Sequence, residues 1–440
     1  MFNQTIVSLI TPPMMGAVAV IRMSGDDALE IAQQMFSRKI SEPNRVYYGR
    51  IVDKQEIIDE VVLTYFKGPR SFTGEDVVEI SCHGSMLVAN QIISLAISLG
   101  ARLAQRGEFS SRAYYNNKID LVQAEAINSL IKAVTPEQKQ LALYSLKGET
   151  SNVLKPIIDG LADILSNIEV NIDYPEYMDI EVVTTDKIIT SCHKMRESIT
   201  SLLLQSKRSQ YVVQGIKVAL VGLPNTGKSS LLNAFLNEDK AIVTNIPGTT
   251  RDVVEGTVNL NGLLVNLLDT AGIRESDNIV EQKGIEKSQK SIETADLIIM
   301  VTEAGREFNE EELEIYETIK NKKHIVVFNK SDLTDSFDKE GIYISAQNKD
   351  IDNLKRKMLE MFDLLSNDMT PSLCSAREIA LLSSAEAHLE RAVEDAKNYI
   401  PLDLVVVSIK AAYDDLKEIL GLSVNIDLSE EIFSRFCVGK

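Results

Sequence analysis

The chain has 440 residues, 44% hydrophobic and 25% charged, with 64 acidic residues against 46 basic ones and a formal net charge of −18. That is the profile of a folded protein of about three domains and excludes a disordered chain. It also excludes a broad basic face that would coat nucleic acid, so any such contact is local or supplied by a partner.

Residues 1–118 alternate short β-branched runs with turns, and predict strands at 5–10, 17–23, 47–52, 60–66 and 76–82. Helical spacing predicts helices at 26–35 and 86–99, the second stopped by Gly100. This is an α+β module. From Leu121 the apolar period becomes helical, with segments at 121–133, 137–146, 153–170 and 187–205, and the polar run 205–210 reads as a linker. Residues 212–368 read as strand–loop–helix, with strands at 216–221, 258–268, 297–301, 325–328 and 341–344. That alternation predicts a mostly parallel sheet covered on both faces. Residues 369–440 return to helix. The economical architecture is a multidomain α+β and α/β chain, in which a helical domain formed by 119–211 and 369–440 is interrupted by an inserted α/β domain at 212–368.

Cys82, Cys192, Cys374 and Cys437 form no CxxC pair and no zinc-type spacing, which reads as reduced thiols. Met1-Phe2-Asn3-Gln4 carries no basic n-region, and the apolar runs fall far short of the ~18 residues that span a bilayer. A soluble, cytoplasmic protein without a membrane partner is the expectation.

Gly222-Leu223-Pro224-Asn225-Thr226-Gly227-Lys228-Ser229 fits GxxxxGK[ST] between a predicted strand and a predicted helix starting at Ser230. Such a loop turns successive backbone N–H groups toward phosphate oxygens, and the helix N-terminus adds a favourable dipole. Lys228 would reach the β/γ-phosphates and Ser229 would ligate Mg²⁺. Three further strings follow in order, each after a predicted strand. Asp269-Thr270-Ala271-Gly272 supplies a carboxylate for the Mg²⁺ hydration shell and an N–H for the γ-phosphate. Asn329-Lys330-Ser331-Asp332 offers a carboxylate that can take two hydrogen bonds from guanine N1–H and its 2-amino group. Ser345-Ala346 would back the base with main-chain N–H groups. Together these predict a Ras-like P-loop GTPase domain. The position after Asp-Thr-Ala-Gly, often a water-orienting Gln in small GTPases, is Ile273. Either hydrolysis is negligible or water is positioned by something else. A monovalent cation between Asn225 and the oxygen-rich loop Thr244-Asn245-Ile246-Pro247-Gly248-Thr249-Thr250-Arg251-Asp252 could take the place of an arginine finger.

These motifs, with the terminal Phe436-Cys437-Val438-Gly439-Lys440 and the N-terminal strings Thr11-Pro12-Pro13, Ser71-Phe72-Thr73-Gly74-Glu75-Asp76 and Lys118-Ile119-Asp120-Leu121, resemble the MnmE (also called TrmE) family across essentially the whole chain. The resemblance implies a K⁺-dependent GTPase that acts with an FAD-dependent partner, MnmG, as a homodimer within a heterotetramer. The pair would add an aminomethyl or carboxymethylaminomethyl group to C5 of the wobble uridine of certain tRNAs. It implies GTP contacts along Asn225, Thr226, Gly227, Lys228, Ser229, Ser230, the 244–250 loop, Asp269 to Gly272, Asn329, Lys330, Asp332, Ser345 and Ala346. It further implies K⁺ at Asn225, Thr244, Ile246 and Thr249, Mg²⁺ at Ser229 and Thr250, and catalysis by Glu281, Lys228 and Thr250, with Glu281 orienting the attacking water through a bridging water. The N-terminal module would bind 5,10-methylene- or 5-formyl-tetrahydrofolate through Arg22, Glu79, Lys118 and Lys440. Cys437 is open between modification chemistry and plain packing. Met14-Met15 and Cys82-His83-Gly84-Ser85 depart from the family pattern around the folate mouth. The competing expectation is a ribosome-assembly or other translation-associated GTPase. It is disfavoured because 369–440 carries 7 basic against 12 acidic residues and no GxxG clamp.

Overall fold

The structure is a computed structural model that describes residues 4–173, 185–236, 254–268, 291–334, 340–365, 369–423, 426–436 and 439. The chain packs as two compact units, one of Met1–Ile131, Ser145–Cys192 and Ala387–Lys440, the other of Lys132–Tyr144 and His193–Glu386.

The first unit contains β1 (Ile6–Leu9), β2 (Val18–Ser24), β3 (Val46–Asp53), β4 (Glu56–Phe66), β5 (Val77–His83) and β6 (Arg102–Leu103). They form one sheet in the order β3-β4-β5-β2-β1-β6. All its pairings are antiparallel except β1 with β6. Period-2 alternation decides its faces. Ala19, Ile21 and Met23 on β2, Val78, Ile80 and Cys82 on β5, and Val61, Leu63 and Tyr65 on β4 are buried in one core. Residues of that core on the helices Ala28–Met35 and Met86–Ser98 cover this face. Val18, Arg22, Glu60, Glu79 and His83 alternate to the other face, where they are exposed or half-buried. Burial pushes the Cys82 thiol up to about 11. In the helical part of this unit, Glu149–Asp173 packs along Leu402–Leu420. The buried residues Val405, Ile409, Ala412, Leu416 and Ile419 of the latter form a stripe at spacings of three and four.

The second unit is built on β7 (Ile216–Val221), β8 (Val254–Leu260), β9 (Leu263–Leu268), β10 (Leu297–Glu303), β11 (His324–Asn329) and β12 (Ile342–Tyr343), in the order β12-β11-β10-β7-β9-β8. All neighbours run parallel except the edge pair β8 and β9. Strands buried on both faces need near-continuous apolar sequence, which Val218–Val221 and Leu297–Val301 supply. The chain leaves β7 on one side toward β9 and on the other toward β10. That is the topological switch where α/β sheets open a crevice at their strand C-termini.

Two expectations change on contact with the structure. The single strand expected at 258–268 is a hairpin turning at Asn261 (φ +48°) and Gly262 (φ +94°). Asn-Gly is the dipeptide that tolerates positive φ at both central positions of a tight turn. The linker expected at 205–210 lies inside the helix Thr185–Gln214. Its polarity serves burial, because Ser206 Oγ accepts from Leu373 N at 3.2 Å and Ser209 Oγ bonds Ser372 Oγ at 2.7 Å. The helix Pro136–Leu146 also contributes to the second unit. Leu141 sits in its core, and Gln138 Nε2 donates to the carbonyls of Val212 and Val213 at 3.1 Å each. Among the described residues no helix is long and apolar enough to cross a membrane.

Candidate nucleotide site

The loop after β7 is held from within. Thr226 is buried and its hydroxyl donates to the Leu223 carbonyl at 2.9 Å. Asn225 is exposed and left-handed at φ +63°, a conformation Asn tolerates better than most residues because its short polar side chain can bond locally. The helix Lys228–Leu236 begins directly behind the loop, with Leu231 N bonded to Gly227 O at 2.9 Å. Ser229 and Ser230 are exposed in its first turn. Lys228 Nζ donates to the carbonyls of Gly222 at 2.8 Å and Leu223 at 2.7 Å. The arrangement can do what the sequence asks of it: a strand, a turned backbone and a helix N-terminus beside a lysine form an anion cradle.

Burial lowers the Lys228 pKa from the ordinary 10.5. Phosphates beside the ammonium would restore the charged form, so nucleotide binding near the lowered pKa takes up a proton. Affinity for GDP is therefore expected to fall as pH rises through that value, at lower pH than an ordinary lysine would dictate. Lys228→Arg should remove the fall, because a guanidinium stays charged. Calorimetric titration across pH 7 to 10 (roughly the span between neutrality and the ordinary lysine pKa) checks this; a flat wild-type profile would count against it.

The turn after β11 is joined to the loop after β7 by one buried side chain. Asn329 Nδ2 donates to Thr226 O at 2.9 Å, and its Oδ1 accepts from Ala346 N at 3.0 Å. Gly227 stands beside this joint at φ +95°, where an added Cβ would overlap Asn329 Nδ2. Asp332 lies exposed in the one-turn helix Ser331–Leu333. Its Oδ1 accepts from the buried Ser345 hydroxyl at 2.6 Å. Asn225 to Ser230, Asn329, Lys330, Asp332, Ser345 and Ala346 thus stand on the C-terminal ends of β7, β11 and β12 and the turns that follow them. Thr244, Asn245, Ile246, Pro247, Gly248, Thr249, Thr250, Asp269, Thr270, Ala271, Gly272 and Glu281 lie outside the described residues. Sequence reasoning missed Glu303, which ends β10 and pairs with Lys330. The available signal was its place at a strand C-terminus, as for the motifs after β7, β11 and β12.

In the first unit, Arg22 and Glu79 are direct partners in the β2/β5 register. Arg22 Nε and Nη2 each lie 2.8 Å from Glu79 Oε1. The guanidinium stands over the rings of Phe72 at 4.9 Å and Phe109 at 5.4 Å. Lys118 Nζ donates to Pro69 O at 2.7 Å, and its stem lies against Gly74. Arg22 and Lys118 are therefore gathered around one loop, 68–76, with Glu79 held by Arg22. Gly439 packs against Leu9 and Ile10, at the end of β1. Cys437 and Lys440 lie outside the described residues.

Two family models match this chain: the N-terminal domain of the GTP-binding protein TrmE over residues 5–118, and the MnmE helical domain over 121–437. The tRNA modification GTPase MnmE of Ligilactobacillus salivarius is 41% identical over 454 residues, covering 99% of this chain and 98% of the relative. That of Mesoplasma florum is 42% identical over 449 residues, covering 100% and 99%. Among solved structures, Era of Aquifex aeolicus is similar at 29% identity and a TM-score of 0.27 over 39% of this chain and 66% of that one. With family models matching over 5–118 and 121–437 and relatives 41% and 42% identical over nearly its whole length, the chain belongs to the MnmE family of tRNA modification GTPases, enzymes that hydrolyse GTP.

Proposed function

We propose that this chain hydrolyses GTP in a K⁺- and Mg²⁺-dependent reaction completed when the G domains of a homodimer meet. We further propose that, in a cytoplasmic heterotetramer with the flavoprotein MnmG, it places an aminomethyl or carboxymethylaminomethyl group on C5 of the wobble uridine of certain tRNAs. The observation that carries the reading is the single joint through Asn329, which ties a phosphate loop to a base-reading loop in a chain of this family.

Lys228 and the loop N–H groups would hold the phosphates, and Asp332 the guanine edge. Ile273 offers no amide to orient water, so that role falls to Glu281 acting through a bridging water. Ser229 with Thr250 would hold Mg²⁺, and Asn225 with Thr244, Ile246 and Thr249 would hold K⁺. The donor sets fit, since the exposed Asn225 and Ser229 present hard oxygens beside the phosphate loop. Both cations would supply fixed positive charge to the developing phosphoryl charge. Arg22, Glu79, Lys118 and Lys440 would bind a 5,10-methylene- or 5-formyl-tetrahydrofolate as one-carbon donor, while the partner carries FAD. Arg22 pairs with Glu79, whose carboxylate would accept from an aminopyrimidine edge, and the lysines would suit glutamate carboxylates.

The test has two readouts. GTP turnover by the purified chain should rise at least tenfold when K⁺ replaces Na⁺ (roughly 1.4 kcal/mol of barrier), and tRNA from cells lacking the chain should show unmodified wobble uridine by mass spectrometry. Equal turnover in both salts would remove the potassium mechanism, and normal wobble uridines would remove the substrate.

A further inference from the structure

Glu303 ends β10 and stands opposite Asn329 in the parallel β10/β11 register, with Ala304 N donating to Asn329 O at 2.8 Å. Its carboxylate pairs with the ammonium of Lys330, the residue between Asn329 and the base-reading turn. Lys330 itself is left-handed at φ +63°. Behind Glu303, Arg306 Nε lies 3.4 Å from Glu303 Oε2. The same guanidinium grips Glu312 with two bonds, Nη1 to Oε2 at 2.6 Å and Nη2 to Oε1 at 2.7 Å. Glu312 is fully buried. It also accepts from the Thr302 hydroxyl at 2.7 Å and closes a capping box with Asn309 at the start of the helix Glu310–Ile319. Burial would raise the Glu312 pKa, but its bonds from Arg306, Thr302 and the Asn309 N–H more than offset this and hold the carboxyl below the usual range. Glu303 is thus fixed from behind by a charged chain rooted in the core.

We propose that Glu303 is a positioning residue for guanine recognition, acting through Lys330 rather than by touching the nucleotide. This rests on the reading of Asn329 to Asp332 as the base site. Two physical effects follow from the pairing. Tying the ammonium to an anchored carboxylate turns the four methylenes of Lys330 into a fixed wall beside the base loop, so the ordering cost is met before the nucleotide arrives. It also occupies an ammonium, two residues from Asp332, that would otherwise be free to fold onto and cap the carboxylate that must accept from guanine. Without Glu303 the competition between a base edge and a neighbouring ammonium for Asp332 would be lost part of the time.

The experiment is a double-mutant cycle on the full-length chain, read as the Kd of GDP and the KM and kcat for GTP. Glu303→Ala should raise Kd and KM about tenfold while kcat changes less than twofold, and Glu303→Asp should recover part of the loss. In a Lys330→Ala background, Glu303→Ala should add less than a twofold further loss, because its route to the base has gone. Additive losses would overturn the proposal, as would a Glu303→Ala variant that binds like wild type. If Lys330→Ala itself leaves GDP affinity unchanged, the base-site reading fails and takes the proposal with it. The melting temperature of each nucleotide-free variant separates this from plain unfolding. A fall for Glu303→Ala large enough to account for the Kd change would also overturn the positioning role.

Discussion

Asp332→Asn is expected to convert guanine preference into xanthine preference, with GDP affinity falling about a hundredfold or more and XDP affinity rising to meet it. A carboxylate offers two acceptors to the N1–H and 2-amino group of guanine, both charge-assisted. An amide offers one acceptor and one donor, so guanine meets a donor facing a donor, while xanthine presents a carbonyl oxygen where guanine has its amino group. The structure makes the substitution clean. Ser345 donates to Asp332 Oδ1 at 2.6 Å, and the amide oxygen of Asn can accept that same bond, leaving the amide nitrogen toward the base. Asp332 is exposed and at a turn, so the fold has no reason to yield. Competition between GDP and XDP measured by calorimetry checks the result. Unaltered guanine preference would discredit Asp332 as the reader of the base.

Local features of the site were legible in the sequence because they are set by neighbours along the chain. The phosphate loop, the Asn329-Lys330-Ser331-Asp332 turn and the strands beneath them depend on glycine placement and apolar runs, which a linear reading captures. What it missed was pairing between distant residues. Arg22 and Glu79 stand out as separate candidate folate contacts in sequence, and only the β2/β5 register makes them one ion pair. Ser206 and Ser209 looked like linker because nothing local reveals that residues 372 and 373, more than 160 positions away, supply their partners. The Asn261-Gly262 turn is a different case, since the dipeptide was present and the long apolar run around it outweighed the signal. Glu303 carried no motif at all; its pairing with Lys330 comes from β10 lying beside β11.

That dependence on distant pairing makes Gly227→Ala the most severe single change expected in the second unit. At φ +95° the alanine pays for a backbone region L-residues avoid, about 1–3 kcal/mol. The larger consequence is where its methyl would go. It overlaps Asn329 Nδ2, the atom that donates to Thr226 O and so ties the end of β11 to the loop after β7. Asn329 is almost fully buried and its other amide atom is engaged by Ala346 N, so moving its nitrogen off the methyl strains one of its two bonds. Either the phosphate loop moves or the joint breaks. GDP affinity should fall more than a hundredfold by calorimetry, roughly 2.7 kcal/mol. Adding Asn329→Ala to Gly227→Ala should relieve the overlap and recover part of the lost melting temperature, but not the affinity, because the joint itself is then gone. A Gly227→Ala chain that binds GDP like wild type would mean that the phosphate and base ends are not coupled through this contact.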